Sequence, residues 1–368
     1  MLKCISKITI TPEGKESFSI DLINNVVVDT SYDKLTDTAV VSFPRNINYN
    51  GKNVFVGKDA IFKRKDKIKI ELGYDPKYRT VFNGYITKVG ASNPVVIHCE
   101  DEMFILKNTN ITYPEKTGTI TTGKNGKLLK KPIITSDPIT LKQLLDYMLP
   151  NGIDYKIIVN NSTGTSIVND VNLGNFRATK VSVAEILDTL KSEYGLYSYF
   201  RDGVLFVGLP ANAAQSNTES FAFEETIISP QNLEYQQADD LNLKVVAISM
   251  NSDNTKKQIE VGDTDGSQRT YYTYNADEDE LKVFANAKLK EIKYTGYTGS
   301  IFTFGEPFVR HGDIAKITSE KYPEQDGYYS IVGVSYEMNV ELGYRQIIDI
   351  GRFLGSAVSD IEQYKITG

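Results

Sequence analysis

Hydrophobic positions in the first hundred residues recur with a period of two, the spacing of strands with one buried face. Met1 to Ile10 alternates and reads as a first strand. Ser17 to Leu22 alternates again, Asn24-Asn25 marks a turn, and Val26-Val27-Val28 opens the next strand. The stretch from Ser31 to Arg45 sets a polar connection, Lys34 to Asp37, before Ala39 to Phe43. Pro44 stops that strand because it offers no ladder N–H. Lys67 to Leu72, Thr80 to Val89 and Pro94 to Glu100 complete the set. Strands at this spacing predict a small closed or nearly closed barrel over 1–110.

The period then changes. Leu141, Leu144, Leu145 and Met148 share one helical face. Ser182 with Glu185 is a capping box; Ile186, Leu187, Leu190 and Tyr194 form the stripe behind it, and Gly195 suits the C-terminal cap. A hairpin over Leu196 to Gly208 turns at Arg201-Asp202-Gly203. Residues 111–210 therefore read as an α+β module, and 211–220 as a linker. Alternation resumes over 221–355, with strands at Asn242 to Met250, Gln268 to Tyr274, Ser300 to Thr303, Ile314 to Thr318, Tyr328 to Tyr336 and Arg345 to Ile350. Asn275 with Glu278 suggests the cap of a helical insertion near 276–293, and 356–368 reads as a tail. The fold class expected is mainly β with an α+β insert: two similar small β-barrels joined by an α+β module.

Similarity within the chain supports the pairing of barrels. Phe62-Lys63-Arg64-Lys65-Asp66, leading into Lys67 to Ile70, resembles Phe308-Val309-Arg310-His311-Gly312-Asp313, leading into Ile314 to Ile317. Each reads Phe-x-Arg, a turn with Asp, then a strand. Asn83-Gly84-Tyr85 resembles Asp326-Gly327-Tyr328 in the same way.

Composition removes several function classes. The chain has 368 residues and a net charge of −6. Residues 1–110 carry 16 basic and 13 acidic side chains, 111–210 carry 11 and 9, and 211–368 carry 14 and 25. No concentrated basic patch marks a polyanion binder. No apolar run reaches the roughly 18 residues that span a bilayer, and the N-terminus lacks the form of a signal peptide. Synthesis in the cytosol with no membrane contact is expected. Cys4 and Cys99 have no CxxC spacing and read as reduced, partly buried thiols.

Chemistry is sparse. His98-Cys99-Glu100-Asp101 invites a metal, but strand alternation sends His98 and Glu100 to one side and Cys99 and Asp101 to the other. His311 falls in a turn and is expected to be solvated. Gly123 to Lys127 has the wrong spacing for a phosphate loop, and Asp277 to Glu280 lacks the spacing of a calcium loop. No cofactor, metal or catalytic residue is assigned, and the chain is not expected to be an enzyme.

The motifs Ser31 to Arg45 (with Asp33, Lys34, Leu35 and Thr36), Phe62 to Tyr74 and Phe82 to Val89, with Phe304 to Pro307, His311 to Asp313 and Gly343 to Gln346, resemble bacteriophage baseplate hub proteins of the late control protein D family. The hub part of type VI secretion spike proteins is similar. The resemblance implies a homotrimeric ring in a virion tail or related contractile injection machine. Six similar barrels would face a sixfold tail tube protein on one side and a threefold central spike protein on the other. Other baseplate proteins would pack around it, and DNA would pass the lumen without specific binding. Candidate barrel and assembly residues are Asp33, Lys34, Leu35, Thr36, Phe62, Arg64, Asp66, Gly84, Tyr85, Phe308, Arg310, Gly312, Asp313, Gly327 and Tyr328. Alternatives are a cell-wall binding module in 111–210 or a tail-associated cell-wall hydrolase.

Overall fold

The structure is a computed structural model; it describes residues 3–49, 52–56, 61–113, 139–158, 173–174, 176–208, 217–230, 232–251 and 255–357. The basic loop 118–131, linker positions 211–216 and the tail beyond 357 lie outside the described residues.

The alternating segments at the start form β1 (Cys4–Thr11), β2 (Phe18–Ile20), β3 (Asn25–Ser31), β4 (Thr38–Phe43), β5 (Asn46–Tyr49), β6 (Lys52–Phe55), β7 (Lys67–Tyr74), β8 (Lys77–Val89) and β9 (Val95–Glu100). Their inward positions, among them Ile8, Ile10, Val26, Val28, Val41, Ile68, Ile70 and Ile97, are almost fully removed from water. Antiparallel pairing runs in the order β3-β4-β9-β8-β7-β1-β2, with β5 and β6 as a separate hairpin.

The middle segment contains α1 (Met103–Lys107), β10 (Asn110–Tyr113), α2 (Leu141–Met148), β11 (Asp154–Ile158), β12 (Ala178–Ser182), α3 (Val183–Tyr194), β13 (Tyr197–Arg201) and β14 (Val204–Gly208). The expected capping box closes α3: Ser182 Oγ accepts from Glu185 N, Glu185 accepts from Ser182 N, and Gly195 ends the helix in the left-handed region. Leu144, Leu145, Leu187, Leu190, Leu205 and Val207 share one core, which Met103 and Leu106 of α1 complete.

The last segment holds β15 (Thr218–Ala222), β16 (Ile227–Ser229), β17 (Glu234–Gln236), β18 (Leu243–Met250), β19 (Lys256–Gly262), β20 (Ser267–Tyr274), α4 (Glu278–Ile292), β21 (Gly296–Phe304), β22 (Ile314–Thr318), β23 (Gly327–Asn339) and β24 (Gly343–Gly355). Here the inserted helix is larger in consequence than its sequence span. β18, β19 and β20 leave the main sheet and form their own three-stranded sheet, on which α4 packs through Leu281, Phe284 and Ala285. The helix cap is Asp277 with Glu280, not Asn275 with Glu278. Asn275 has φ 50°, and its N–H still bonds to Met250 O, so β20 ends there before the helix begins.

The chain is mainly β with an α+β insert, and the two β segments flanking the insert are not independent. β3 pairs antiparallel with β23, from Gly333 opposite Ser31 to Asn339 opposite Asn25. One 14-stranded sheet therefore runs through both, over one apolar core that reaches from Ile8 and Val41 to Tyr336 and Ile348. Cys4 and Cys99 are both free thiols, half-buried and buried.

Candidate functional site at the junction

Two aspartates show the internal repeat at atomic detail. Asp66 and Asp313 are both buried, and each closes a turn before a strand. Asp66 Oδ2 accepts from Lys63 N at 2.7 Å; Asp313 Oδ2 accepts from Arg310 N at 2.8 Å. Each Oδ1 accepts a backbone N–H from a distant segment, Glu13 in one case and Asn217 in the other, both at 3.2 Å. The residue before each Asp is left-handed, Lys65 at φ 79° and Gly312 at φ 85°. Its N–H reaches Ile86 O or Ile331 O, and those two residues donate back to Asp66 O and Asp313 O.

The strands around the turns repeat as well. The order β3-β4-β9-β8-β7 matches β17-β21-β24-β23-β22, antiparallel at every step. The match ends beyond them: β1 runs antiparallel to β7, whereas β15 runs parallel to β22.

This register corrects the sequence alignment by small shifts. With Asp66 matched to Asp313, Phe62 corresponds to Val309 and Arg64 to His311, so Phe-x-Arg is one residue out. Ile68 pairs with Gly84 and Ala315 with Tyr329, which makes Tyr329, not Gly327, the counterpart of Gly84. A Cβ on Gly84 would lie 2.2 Å from Glu100 O, so the glycine serves a close strand approach of its own.

Most candidate residues occupy packing and pairing positions, some within one segment and some between segments. Phe62 packs with Phe18 and Phe43 in the core. Arg64 lies over the Phe104 ring of α1 at 5.5 Å, and Tyr85 stacks on the same ring at 5.8 Å. Phe308 stacks on Tyr336 at 5.6 Å, and Arg79 lies over its ring at 5.5 Å. Gly327 packs under Phe353 and Tyr329, and Tyr328 is buried with Ile314 and Leu354. Asp33 pairs with Lys191 of α3 at 3.1 Å, and Leu35 joins the core of the α+β module. Thr36 lines an open groove of about 600 Å³ beside α3, while Lys34 stays exposed.

Three segments meet at a charged junction that strand periodicity does not reveal. The β13–β14 hairpin brings Arg201 and Asp202 against the Arg310–Asp313 turn. Arg201 pairs with Asp313 at 3.2 Å, the side chains 8% and 3% exposed. Arg310 makes two contacts with Asp202, at 2.9 and 3.0 Å. The pairs cross, each element supplying one cation and one anion. Behind them a cavity of about 80 Å³ is lined by Asp37, Asp101, Glu102, Arg201, His311 and Tyr336, among others.

His311 is the clearest correction. Instead of being solvated, its side chain is 6% exposed, against the rings of Tyr199 at 5.1 Å and Tyr32 at 6.5 Å. Burial, with Arg201 and Arg310 close by, lowers its pKa to about 3. Its Nε2 lies 3.9 Å from Asp37 Oδ2. Burial raises Asp37 to about 7 against the bond from Ser31 N, and Asp101 is raised as well, first by burial and then by the Asp37 charge. Glu102 shifts upward through burial. Asp37, Asp101, Arg201, Asp202 and Tyr336 were absent from the sequence candidates. Among the described residues no group of three or more His, Cys, Asp and Glu is placed to hold a metal ion. The arrangement fastens elements together; it sets no nucleophile beside a base.

No family model matches the chain, and no curated protein matches it. Solved structures do. The chain is similar to the tail protein from Neisseria meningitidis MC58 over 94% of its length and 96% of that chain, at 13% identity and TM-score 0.56. It is similar to the 43 kDa tail protein of prophage MuSo2 from Shewanella oneidensis over 94% and 98%, at 13% identity and TM-score 0.56. An E. coli component of the type VI secretion system, described as structurally similar to T4 bacteriophage tail proteins, matches 94% of this chain and 76% of that one at 9% identity and TM-score 0.53. At such identities the likeness is one of fold: this chain has the fold of those tail and secretion-system proteins over nearly its whole length.

Proposed function

We propose that the chain is a structural baseplate hub of a phage tail or related contractile injection machine. Three copies form a ring that presents six similar β units. One face of the ring meets a sixfold tail tube and the other a threefold spike, with other baseplate proteins around it and DNA passing through. The role is mechanical, not enzymatic, and its place is the virion tail.

The observation that carries this reading is the repeat of five strands about equivalent aspartate turns, Asp66 and Asp313. A chain with two like units gives a threefold assembly six like positions, which is what a symmetry adaptor needs. The antiparallel pairing of β3 with β23 joins the two units within the chain, which supports a set spacing between them. Full-length likeness to phage tail proteins supports the same reading.

Light scattering and sedimentation velocity on the purified chain, alone and with a tube or spike partner, test it. A mass of three chains supports the hub. A strict monomer in every combination, or a dimer, overturns it. Cell-wall zymography is expected to show no lysis.

A further inference from the structure

The β13–β14 hairpin closes over two groups that would otherwise carry opposite charges. Asp37 belongs to the loop before β4 and His311 to the turn before β22, and Phe200, Arg201, Asp202 and Gly203 of the hairpin line the same small cavity. Tyr199 of the hairpin packs on the imidazole itself. We propose that docking of this hairpin moves one proton from the His311 imidazole to the Asp37 carboxyl, so that the closed junction holds a neutral acid beside a neutral base.

The surroundings decide where the proton goes. Asp37 faces Glu102 after the end of β9 and Asp29 from β3, both opposing its charge, and Asp101, whose own pKa the Asp37 charge raises; exposed Lys34 is the cation in its own loop that favours it. His311 faces Arg201 from the hairpin and Arg310 beside it, both opposing an imidazolium. Asp202 and Asp313 are the anions that pair with these two arginines. Tyr32, Tyr199 and Tyr336 are phenols that burial pushes further from ionising. An ion pair would have to exist largely out of water, the side chains 6% and 13% exposed, between two clusters that each repel its like charge. At 3.9 Å the two groups also lack the short contact that would reward it.

With the hairpin away, both groups meet water and return toward ordinary values, 3.8 for the carboxyl and 6.5 for the imidazole. Between those values the open state holds one proton, on His311. The closed state also holds one, on Asp37. The proton leaves Nε2 and arrives at the carboxyl with none gained from solvent, so this pair adds almost no pH dependence to closure across that window. Each group alone would make closure strongly pH-dependent, with opposite signs. A raised acid strengthens closure below its open-state value and loses that help as pH rises through about 7. A depressed base strengthens closure above its open-state value and loses that help as pH falls toward about 3.

Native-state hydrogen exchange on the amides of β13 and β14, corrected for intrinsic rates, tests this in the full chain. From pH 5 to 7 the opening constant should stay within about threefold in the wild type. It should fall more than about tenfold in Asp37→Asn and rise more than about tenfold in His311→Asn. Flat profiles in both variants, or slopes of the reverse signs, overturn the proposal. Should a variant not fold, the carboxyl carbon resonance of Asp37 in the wild type decides. A protonated acid at pH 5.5 supports proton transfer, and an ionised one contradicts it.

Discussion

Arg201 and Asp313 form a 3.2 Å ion pair buried where the α+β module meets the second β segment. Asp313 already caps its own turn through Arg310 N and receives Asn217 N, so one carboxylate joins a local turn, a distant strand entry and the inserted module. Its counterpart Asp66 caps its own turn and receives Glu13 N from the β1–β2 connection, with no ion pair to the module among the described residues.

Removing one partner leaves the other charged and desolvated. Arg201→Met should destabilise the chain by about 3–5 kcal/mol. Asp313→Ala should cost clearly more than Asp66→Ala, for which about 1–3 kcal/mol is expected from the lost turn bonds. Urea midpoints for the three variants check this. Equal losses at Asp66 and Asp313 would show that the ion pair adds nothing to the turn.

The left-handed positions before the two aspartates provide a reciprocal test. Lys65 holds φ 79° with a side chain, and Gly312 holds φ 85° without one. Lys65→Gly should be neutral or stabilising, whereas Gly312→Ala should cost about 1–2 kcal/mol. Chemical denaturation of both variants measures the difference, and a Gly312→Ala chain as stable as wild type contradicts the equivalence.

Asp101 gives a second pH prediction, linked to the His311 pair through the Asp37 charge. Its pKa is raised, so the folded state binds its proton more tightly than the unfolded state does. Stability from this group is complete below the ordinary value of 3.8 and is lost as pH rises through the folded value. Asp101→Asn keeps an oxygen to accept from Met103 N. The variant should be more stable than wild type at pH 8 and no more stable at pH 3.5. A gain of the same size at both pH values would place its cause elsewhere.

Charge is divided along the chain, with 16 basic and 13 acidic side chains in residues 1–110 and 14 and 25 in 211–368. If first and second β units of neighbouring copies meet, assembly should weaken as salt rises from about 0.05 to 1 M, because exposed pairs are screened. Sedimentation across that range checks it; a salt-indifferent trimer removes charge from the account of register.

What the sequence reveals here is what local physics decides. Helix α3 is legible because its Ser182 and Glu185 box, apolar stripe and Gly195 stop lie within fifteen residues. The cap of α4 is misread because Asn275 and Asp277 offer overlapping patterns. Only the bond from Asn275 N to Met250 O, made across strands, shows that the chain is still extended at the first of them. The repeat is legible in its Asp turns, yet one extra residue before Asp313 shifts Phe-x-Arg out of register. His311 looks like a turn residue in water because the groups that bury it, Tyr199 and Tyr32, come from distant parts of the chain. The β3–β23 pairing is hidden for the same reason: strands that find each other across about 300 residues leave no local sign.

The central claim is that two like β units per chain make a threefold ring with six similar positions. Electron microscopy of the assembled ring, averaged without imposed symmetry, measures this directly. The account predicts three chains related by a threefold axis and six comparable lobes alternating around it. Six chains in the ring, or three lobes with nothing comparable between them, would contradict it.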